Sequence, residues 1–345
     1  MLNIFSDRRY KVLGMGEVML RLSPTGSERI ASCETFQKRA GGSELNVVSG
    51  VSMLGLPTAI ITKIPNNEIG KFVKRSIRYS GTSDTHVIYD TSPEMRLGIY
   101  YYESGAYPRP PIVSYDRRGS SFTTFNPEEL NEEVYTSADI FHTSGITLAL
   151  GEGIKESVFA MMEKFRSTGT MISFDVNYRA ALWDEDSARD AVLRVLPLVD
   201  ILFVSEETSR RMLGMEGNLA EIHKKFGKKY DNLKIIASTK RKALSPGKHS
   251  FSSLVYNCKD DTHFEEAAYE NIDVVDRIGS GDAYVAGALY ALYKYRSIEK
   301  MAMYGDAMAA LKNTVLGDTT QCDIVDIERI IARHLSHGPV SELER

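Results

Sequence analysis

What most limits the fold of this chain is the rhythm of its apolar residues. Short apolar runs alternate with longer amphipathic ones. "KVLGMGEVML" reads as a buried strand, and "SELNVVSGVSMLG" has helical spacing and stops at Gly55. "TAIITKI" is a strand and "NNEIGKFVKRSIRYSG" a helix ending at Gly81. The pattern resumes with "ADIFHTSG", a helix around Ile154 to Ser167, "TMISFDV", the helix "DEDSARDAVLRVLPLV" and the strand "DILFVS". A helix near Leu219 to Tyr230, the strand "LKIIAS" and helices beginning at Gly281, near Ile298 and near Asp323 complete it. Strands buried on both faces and separated by helices predict an α/β fold with a mostly parallel sheet between helical layers.

Two regions break the rhythm. Arg21 to Phe36 is polar and irregular, and Asp84 to Phe125 offers strand-like runs ("THVIYD", "RLGIYYYE", "PIVSYD", "SSFTTF") separated by Pro, Gly and Ser. Together they predict a small β-sheet attached to the large domain, serving as a lid over a site or as a subunit contact. The aromatic run "GIYYYESGAY" also fits an ordinary half-buried strand.

The 345 residues suffice for one large α/β domain with additions or for two modest domains, and the net charge of −4 argues against nucleic acid or an anionic membrane as main partner. "HKKFGKKY" and "RSIRYS" read as solvated helix faces. Three cysteines (Cys33, Cys258, Cys322) without a CxxC pair suit reduced thiols. With no signal-peptide pattern at the start and no run of about 20 apolar residues, the expectation is a cytoplasmic protein.

Several familiar motifs are absent. "LGMGEVM" supplies Gly14 and Gly16 but has Met19 at the third glycine position of a dinucleotide fingerprint. There is no GxxxxGK[ST] loop and no serine nucleophile elbow, and "HLSH" (His334, His337) reads as a surface helix feature. "DRIGSGDAYVAGALYALY" remains. Gly279, Ser280 and Gly281 form a turn from the strand end "NIDVVD" into a helix, and Asp282 sits in its first turn. Successive N–H groups at such a turn make an anion cup. A carboxylate beside it can take the proton of an attacking hydroxyl, or can simply be a favourable first-turn acid. The residues leave both readings open.

"DRIGSGDAYVAGALYAL" closely resembles the C-terminal signature of the ribokinase-like (PfkB-type) carbohydrate kinases, D-x-x-G-[AS]-G-D, and "GGSELNVVSGVSMLG" is similar to their N-terminal signature. The resemblance implies a three-layer α/β/α domain over residues 10–338, with a β-sheet lid built from insertions at about 18–38 and 84–125. Within the family, "FDVNYRAALW", "SYDRRGS" and "HTSGIT" resemble the 2-keto-3-deoxygluconate kinase branch.

That resemblance implies ATP and Mg²⁺ as cofactors, a sugar acid as substrate, Asp282 as catalytic base, and Gly42, Asn46, Tyr100, Tyr115, Arg117, Arg179 and Asp318 as sugar contacts. Gly279, Ser280, Gly281, Ser205 and Thr239 would form the anion hole and ATP site. Arg117 and Arg179 could bind a substrate carboxylate in a bidentate way or face the transferring phosphoryl group; without the resemblance each reads as a surface ion pair.

Two departures from the family pattern stand out. "SEET" (Ser205 to Thr208) replaces NxxE, leaving the Mg²⁺ ligands open with Glu206 or Glu207 as substitutes. The nucleotide stretch "ASTKRKALSPGKHS" lacks its usual glycines and carries Lys240, Arg241 and Lys242, to grip phosphates or to lie in solvent. The expected function is therefore a 2-keto-3-deoxygluconate kinase that is a homo-oligomer through its lid, with a kinase for another sugar or a non-catalytic sugar-acid binder as alternatives.

Overall fold

The structure is a computed structural model and describes residues 8–245 and 247–336. β1 (Tyr10–Met15), β2 (Met19–Pro24) and β3 (Phe36–Gly41) lead into α1 (Ser43–Met53). β4 (Thr58–Pro65), α2 (Glu68–Tyr79) and β5 (Val87–Asp90) come next, then β6 (Gly98–Glu103) and β7 (Ile112–Asp116). Short 3₁₀ turns precede β8 (Ala138–Ser144), the single-turn α3 (Gly145–Leu148) and α4 (Glu152–Ser167). β9 (Met171–Asp175), α5 (Glu185–Val195), β10 (Ile201–Phe203), α6 (Glu206–Arg211) and α7 (Leu219–Lys229) continue the alternation. β11 (Ile235–Ser245), β12 (Lys248–Asn257), β13 (Thr262–Glu265) and β14 (Tyr269–Asp273) form an antiparallel edge. α8 (Ser280–Tyr295), α9 (Ile298–Asn313) and α10 (Ile324–Ser336) close the described chain.

The large sheet runs β13-β12-β11-β10-β9-β8-β1-β4-β5, with β14 against β12. It is parallel from β11 to β5 and antiparallel beyond. Its strands read as apolar runs because successive side chains feed opposite helical layers. Val12, Ile60 and Ile140 pack with α1, α8 and α9, while their neighbours Leu13, Ile61 and Phe141 pack with α4, α5 and α7. The α/β expectation holds, and the small sheet is separate, with order β3-β2-β6-β7.

Several local expectations are corrected. "KVLGMGEVML" is two strands, because the chain leaves the large sheet after Met15 and enters the small one at Met19. "THVIYD" belongs to the large sheet, where Val87–Asp90 pairs with β4, and "SSFTTF" forms a 3₁₀ turn. Within 84–125, only β6 and β7 build the small sheet. The basic stretch after "LKII" is no loop: β11 runs on to Ser245 and pairs with β12 through the basic residues. The strand at "NIDVVD" stops at Asp273, before the glycine turn.

Of the basic helix faces, Arg75 and Arg78 are exposed, but His223 is buried and bonded to Ser238 Oγ at 2.8 Å. His334 docks on Tyr269 with ring centroids 3.8 Å apart, whereas His337 and Gly338, the last two residues of the expected domain, lie outside the described residues. Cys33, Cys258 and Cys322 are free thiols, and among the described residues no helix is long and apolar enough to cross a membrane.

Candidate active site

Two helices aim their N-termini into one cleft of about 1150 Å³. α1 begins after Gly42, where a Cβ would run into the carbonyl of Glu17. α8 begins after Gly279, whose left-handed φ of 82° suits glycine. A Cβ there would overlap the carbonyl of Asp318, so the turn and the 315–318 loop are in direct backbone contact. The aligned dipoles of both helices favour negative charge in the cleft, as do their first-turn N–H groups other than that of Ser280, which reaches the Arg277 carbonyl at 3.3 Å.

Asp282, in the first turn of α8, accepts from Ser43 Oγ at 2.8 Å and from Asn46 Nδ2 at 2.7 Å. Ser43 in turn accepts from Asn177 Nδ2 at 3.0 Å. Burial raises the Asp282 carboxyl above the ordinary range, opposed by those two hydrogen bonds and by Arg179. Asp175, at the end of β9, is pushed up to about 7 by burial and by the charge of Asp282. Glu44 is also raised by burial, although Ser144 Oγ and Thr147 Oγ1 each donate to it at 2.7 Å. Asp282 and Glu44 each hold two side-chain donors, whereas Asp175 accepts the Asn177 N–H at 3.1 Å and takes up a proton near neutrality.

The small sheet forms the opposite wall. Tyr100 and Tyr115 lie on adjacent strands with ring centroids 5.8 Å apart, and Tyr115 is 47% exposed. Arg117 is in the cleft with part of its guanidinium engaged: Nε donates to Glu17 Oε2 at 2.8 Å, Nη2 donates to the same oxygen, and Ser120 Oγ bonds the other Glu17 oxygen. Tyr100 and Asp318 are also spoken for. The Tyr100 hydroxyl donates to Asp318, and Arg21 bridges Asp318 at 2.7 Å and Asp276 at 2.6 Å. Asn46, which lines the cleft, has a buried Oδ1 without a hydrogen-bond partner among the described residues.

At the far end, Ser205 caps α6, with its Oγ accepting the N–H of Thr208 at 3.1 Å, and Thr239 lies on β11. Glu206, half-buried, and Glu207, exposed, line this end and pair with Arg210 and Arg211. Among the described residues no group of three acids, His or Cys is arranged to hold a metal. Arg179, Arg241 and Arg277 face the same cleft, and none has a carboxylate ion-pair partner among the described residues. Arg241 is pushed below the usual guanidinium range by burial and by the fields of Arg277 and Arg179. Three such cations side by side call for a polyanion.

All thirteen residues expected at the site from the sequence line this cleft. Their bonding differs from expectation at Asn46, Tyr100, Arg117 and Asp318, which are engaged with protein partners. The sequence reading missed Ser43 and Glu44, which lie inside "GGSELN"; Asp175 and Asn177, inside "DVNYR"; and Glu17, Arg21 and Arg277. Glu17 and Arg21 carry no local signal, since only the tertiary fold supplies their partners. His142, within "HTSGIT", stays out of the cleft, buried against Ser173 Oγ at 2.9 Å.

The family model for pfkB family carbohydrate kinases matches residues 10–324. A 2-dehydro-3-deoxygalactonokinase of Haloferax volcanii is 34% identical over 321 residues, 93% of this chain and 96% of its own. A 2-dehydro-3-deoxygluconokinase of Thermoproteus tenax is 29% identical over 293 residues, covering 84% and 83%. The crystal structure of a 2-dehydro-3-deoxygluconokinase from Thermotoga maritima superposes with a TM-score of 0.88 at 31% identity, covering 94% of this chain and 99% of that one.

Proposed function

The chain belongs to the pfkB family of carbohydrate kinases, and we propose that it moves the γ-phosphoryl group of ATP to the terminal hydroxyl of 2-keto-3-deoxygluconate or its galactonate epimer. The observation that carries this is the position of Asp282: a carboxylate of raised basicity beside the N–H groups of Gly279 to Gly281, in one cleft with Arg179.

Asp282 takes the proton of the substrate alcohol. Ser43 and Asn46 hold its two oxygens in place, leaving lone pairs on each for that proton. The amides of the Gly279–Gly281 turn receive the phosphoryl oxygens, whose charge spreads during transfer. Arg179 and Arg117 meet the substrate carboxylate, with Arg117 already oriented by Glu17. Asn46 Oδ1, Gly42, Tyr100, Tyr115 and Asp318 complete the sugar's surroundings. Sugar binding under the small sheet excludes water, which limits hydrolysis of ATP.

The nucleotide occupies the end lined by Ser205, Thr239, Arg241 and Arg277. Glu206 and Glu207 are the acids that would reach the water shell of a Mg²⁺ ion there, which would supply neutralisation of phosphate charge. The open edges of the small sheet, β3 and β7, are where copies of this chain would pair.

The test is coupled ADP release over 2-keto-3-deoxygluconate, its galactonate epimer, fructose and ribose. Turnover with the acids at a kcat/KM well above that with the neutral sugars is expected. Equal rates on fructose or ribose would overturn the carboxylate recognition, and tight sugar-acid binding without ADP release would make the protein a binder.

A further inference from the structure

Lys312 is a charged side chain in the wrong place for solubility. It lies in the last turn of α9 with no exposed surface, among the largest fully buried side chains of the protein. Lysine is almost never fully buried unless paired, and an apolar side chain of similar length would fill the site without the desolvation cost. Among the described residues its ammonium makes no direct bond to a carboxylate. It donates to two main-chain carbonyls, Asp276 at 3.0 Å and Val315 at 3.1 Å.

Those two carbonyls belong to the segments that frame the candidate anion hole. Asp276 opens the turn that ends at Gly279–Ser280–Gly281, and Val315 opens the loop that carries Asp318. The same turn is fixed from its other side. The Asp276 carboxylate takes Arg21 at 2.6 Å and the N–H groups of Ile278 and Gly317, each at 3.0 Å. Gly279 then packs directly on the Asp318 backbone.

We propose that Lys312 is a positioning residue whose ammonium acts as a built-in monovalent cation behind the anion hole, tying the 276–281 turn to the 315–318 loop and adding positive charge to the amides that receive phosphoryl oxygens. This rests on the kinase reading above. A charge held in a dry, oxygen-lined site acts at much lower effective dielectric than one in water. The carbonyls that face it would be left unpaired without it.

Burial pulls the Lys312 ammonium down to about 8. Asp276 and Asp318 oppose that shift, while Arg21 and Arg39 add to it. The turn therefore loses its cation as pH rises through that value.

Two variants and the wild-type pH profile test this. Lys312→Ala removes the ammonium and leaves an oxygen-lined hole; Lys312→Met keeps the volume and removes only charge and donors. Each is expected to fold, checked by circular dichroism and melting, with kcat down by roughly 10–100-fold, the range for outer-shell partners of a reacting site. Methylammonium should restore much of the Lys312→Ala rate and none of the Lys312→Met rate, and tetramethylammonium at equal ionic strength should restore neither. Wild-type kcat should fall on an alkaline limb near pH 8 that is missing from Lys312→Met.

A packing role would instead make Lys312→Met as fast as wild type and Lys312→Ala indifferent to methylammonium; either result overturns the proposal. Should Lys312→Ala fail to fold, a Lys312→Met enzyme with wild-type kcat still overturns it, and a slow, folded Lys312→Met without the alkaline limb supports it. A wild type that releases no ADP with any sugar or sugar acid overturns the kinase reading itself, whereas an active wild type with an equally active Lys312→Met overturns only this inference.

Discussion

Replacing Asp282 with asparagine separates catalysis from architecture. The carboxylate accepts from Ser43 Oγ at 2.8 Å and Asn46 Nδ2 at 2.7 Å. An amide of the same shape keeps one acceptor, which Asn46 can use. Its NH₂ then faces Ser43 Oγ, which has a lone pair to spare beside the one engaged by Asn177. The loss is the charge assistance of the hydrogen bonds, each worth about 1.5–3 kcal/mol. Against it stands the relief of a buried negative charge next to Asp175, the same burial that raises both carboxyls. The two effects offset, so stability should move by no more than ~1 kcal/mol, a shift of ~2–4 °C or less in Tm for a chain of this size.

Turnover has no such compensation. Loss of general-base catalysis is worth about 10²–10⁴-fold, or ~2.7–5.4 kcal/mol of barrier at 1.36 kcal/mol per decade. ATP and sugar-acid affinities, measured by calorimetry, should stay close to wild type. A folded Asp282→Asn enzyme with kcat less than ~10-fold below wild type would refute the assignment of Asp282 as base. So would a loss of rate that simply tracks a loss of Tm.

Three further outcomes are expected. Asp175 binds its proton more tightly folded (about 7) than its usual value of 3.8, so the folded state holds more protons between those values and stability falls as pH rises through that window. Asp175→Asn should therefore gain more Tm over wild type at pH 8 than at pH 5, and equal gains would contradict the raised value. His142 and His223, both lowered to about 3 by burial, act oppositely: stability is present above the unfolded value of 6.5 and is lost as pH falls toward 3. His142→Gln should flatten the melting profile between pH 6.5 and 4, and an unchanged slope would count against a neutral buried ring. Arg241→Ala and Arg277→Ala should each raise KM for ATP by roughly 10-fold, the ~1.5 kcal/mol scale of a charged hydrogen bond, with KM for the sugar acid little changed; a reversed pattern would move these arginines to the sugar end.

The alternation of strands and helices was legible because each strand side chain obeys a local rule. Val12 and Leu13 are adjacent in sequence and must point to opposite faces, so a strand apolar at both positions has to be covered twice. The glycine turn before Asp282 was legible for the same kind of reason, since glycines leading into a helix let its first N–H groups approach an anion closely. Where local rules ran out, the reading slipped: "THVIYD" alternates like any strand, and only its pairing with β4 places it in the large sheet.

Sequence by itself therefore determined the layered architecture through its periodicity, and pointed to the family and the residues that gather in the cleft through the resemblance its contiguous motifs carry. What only tertiary structure decided is which of those side chains are still free to meet a ligand. Arg117 meets Glu17 across 100 residues, Arg21 meets Asp276 and Asp318 across 255 and 297, and Lys312 reaches back 36 residues to the carbonyl of Asp276. Charge in a buried site is set by whichever partner arrives in three dimensions, and no spacing along the chain records that meeting.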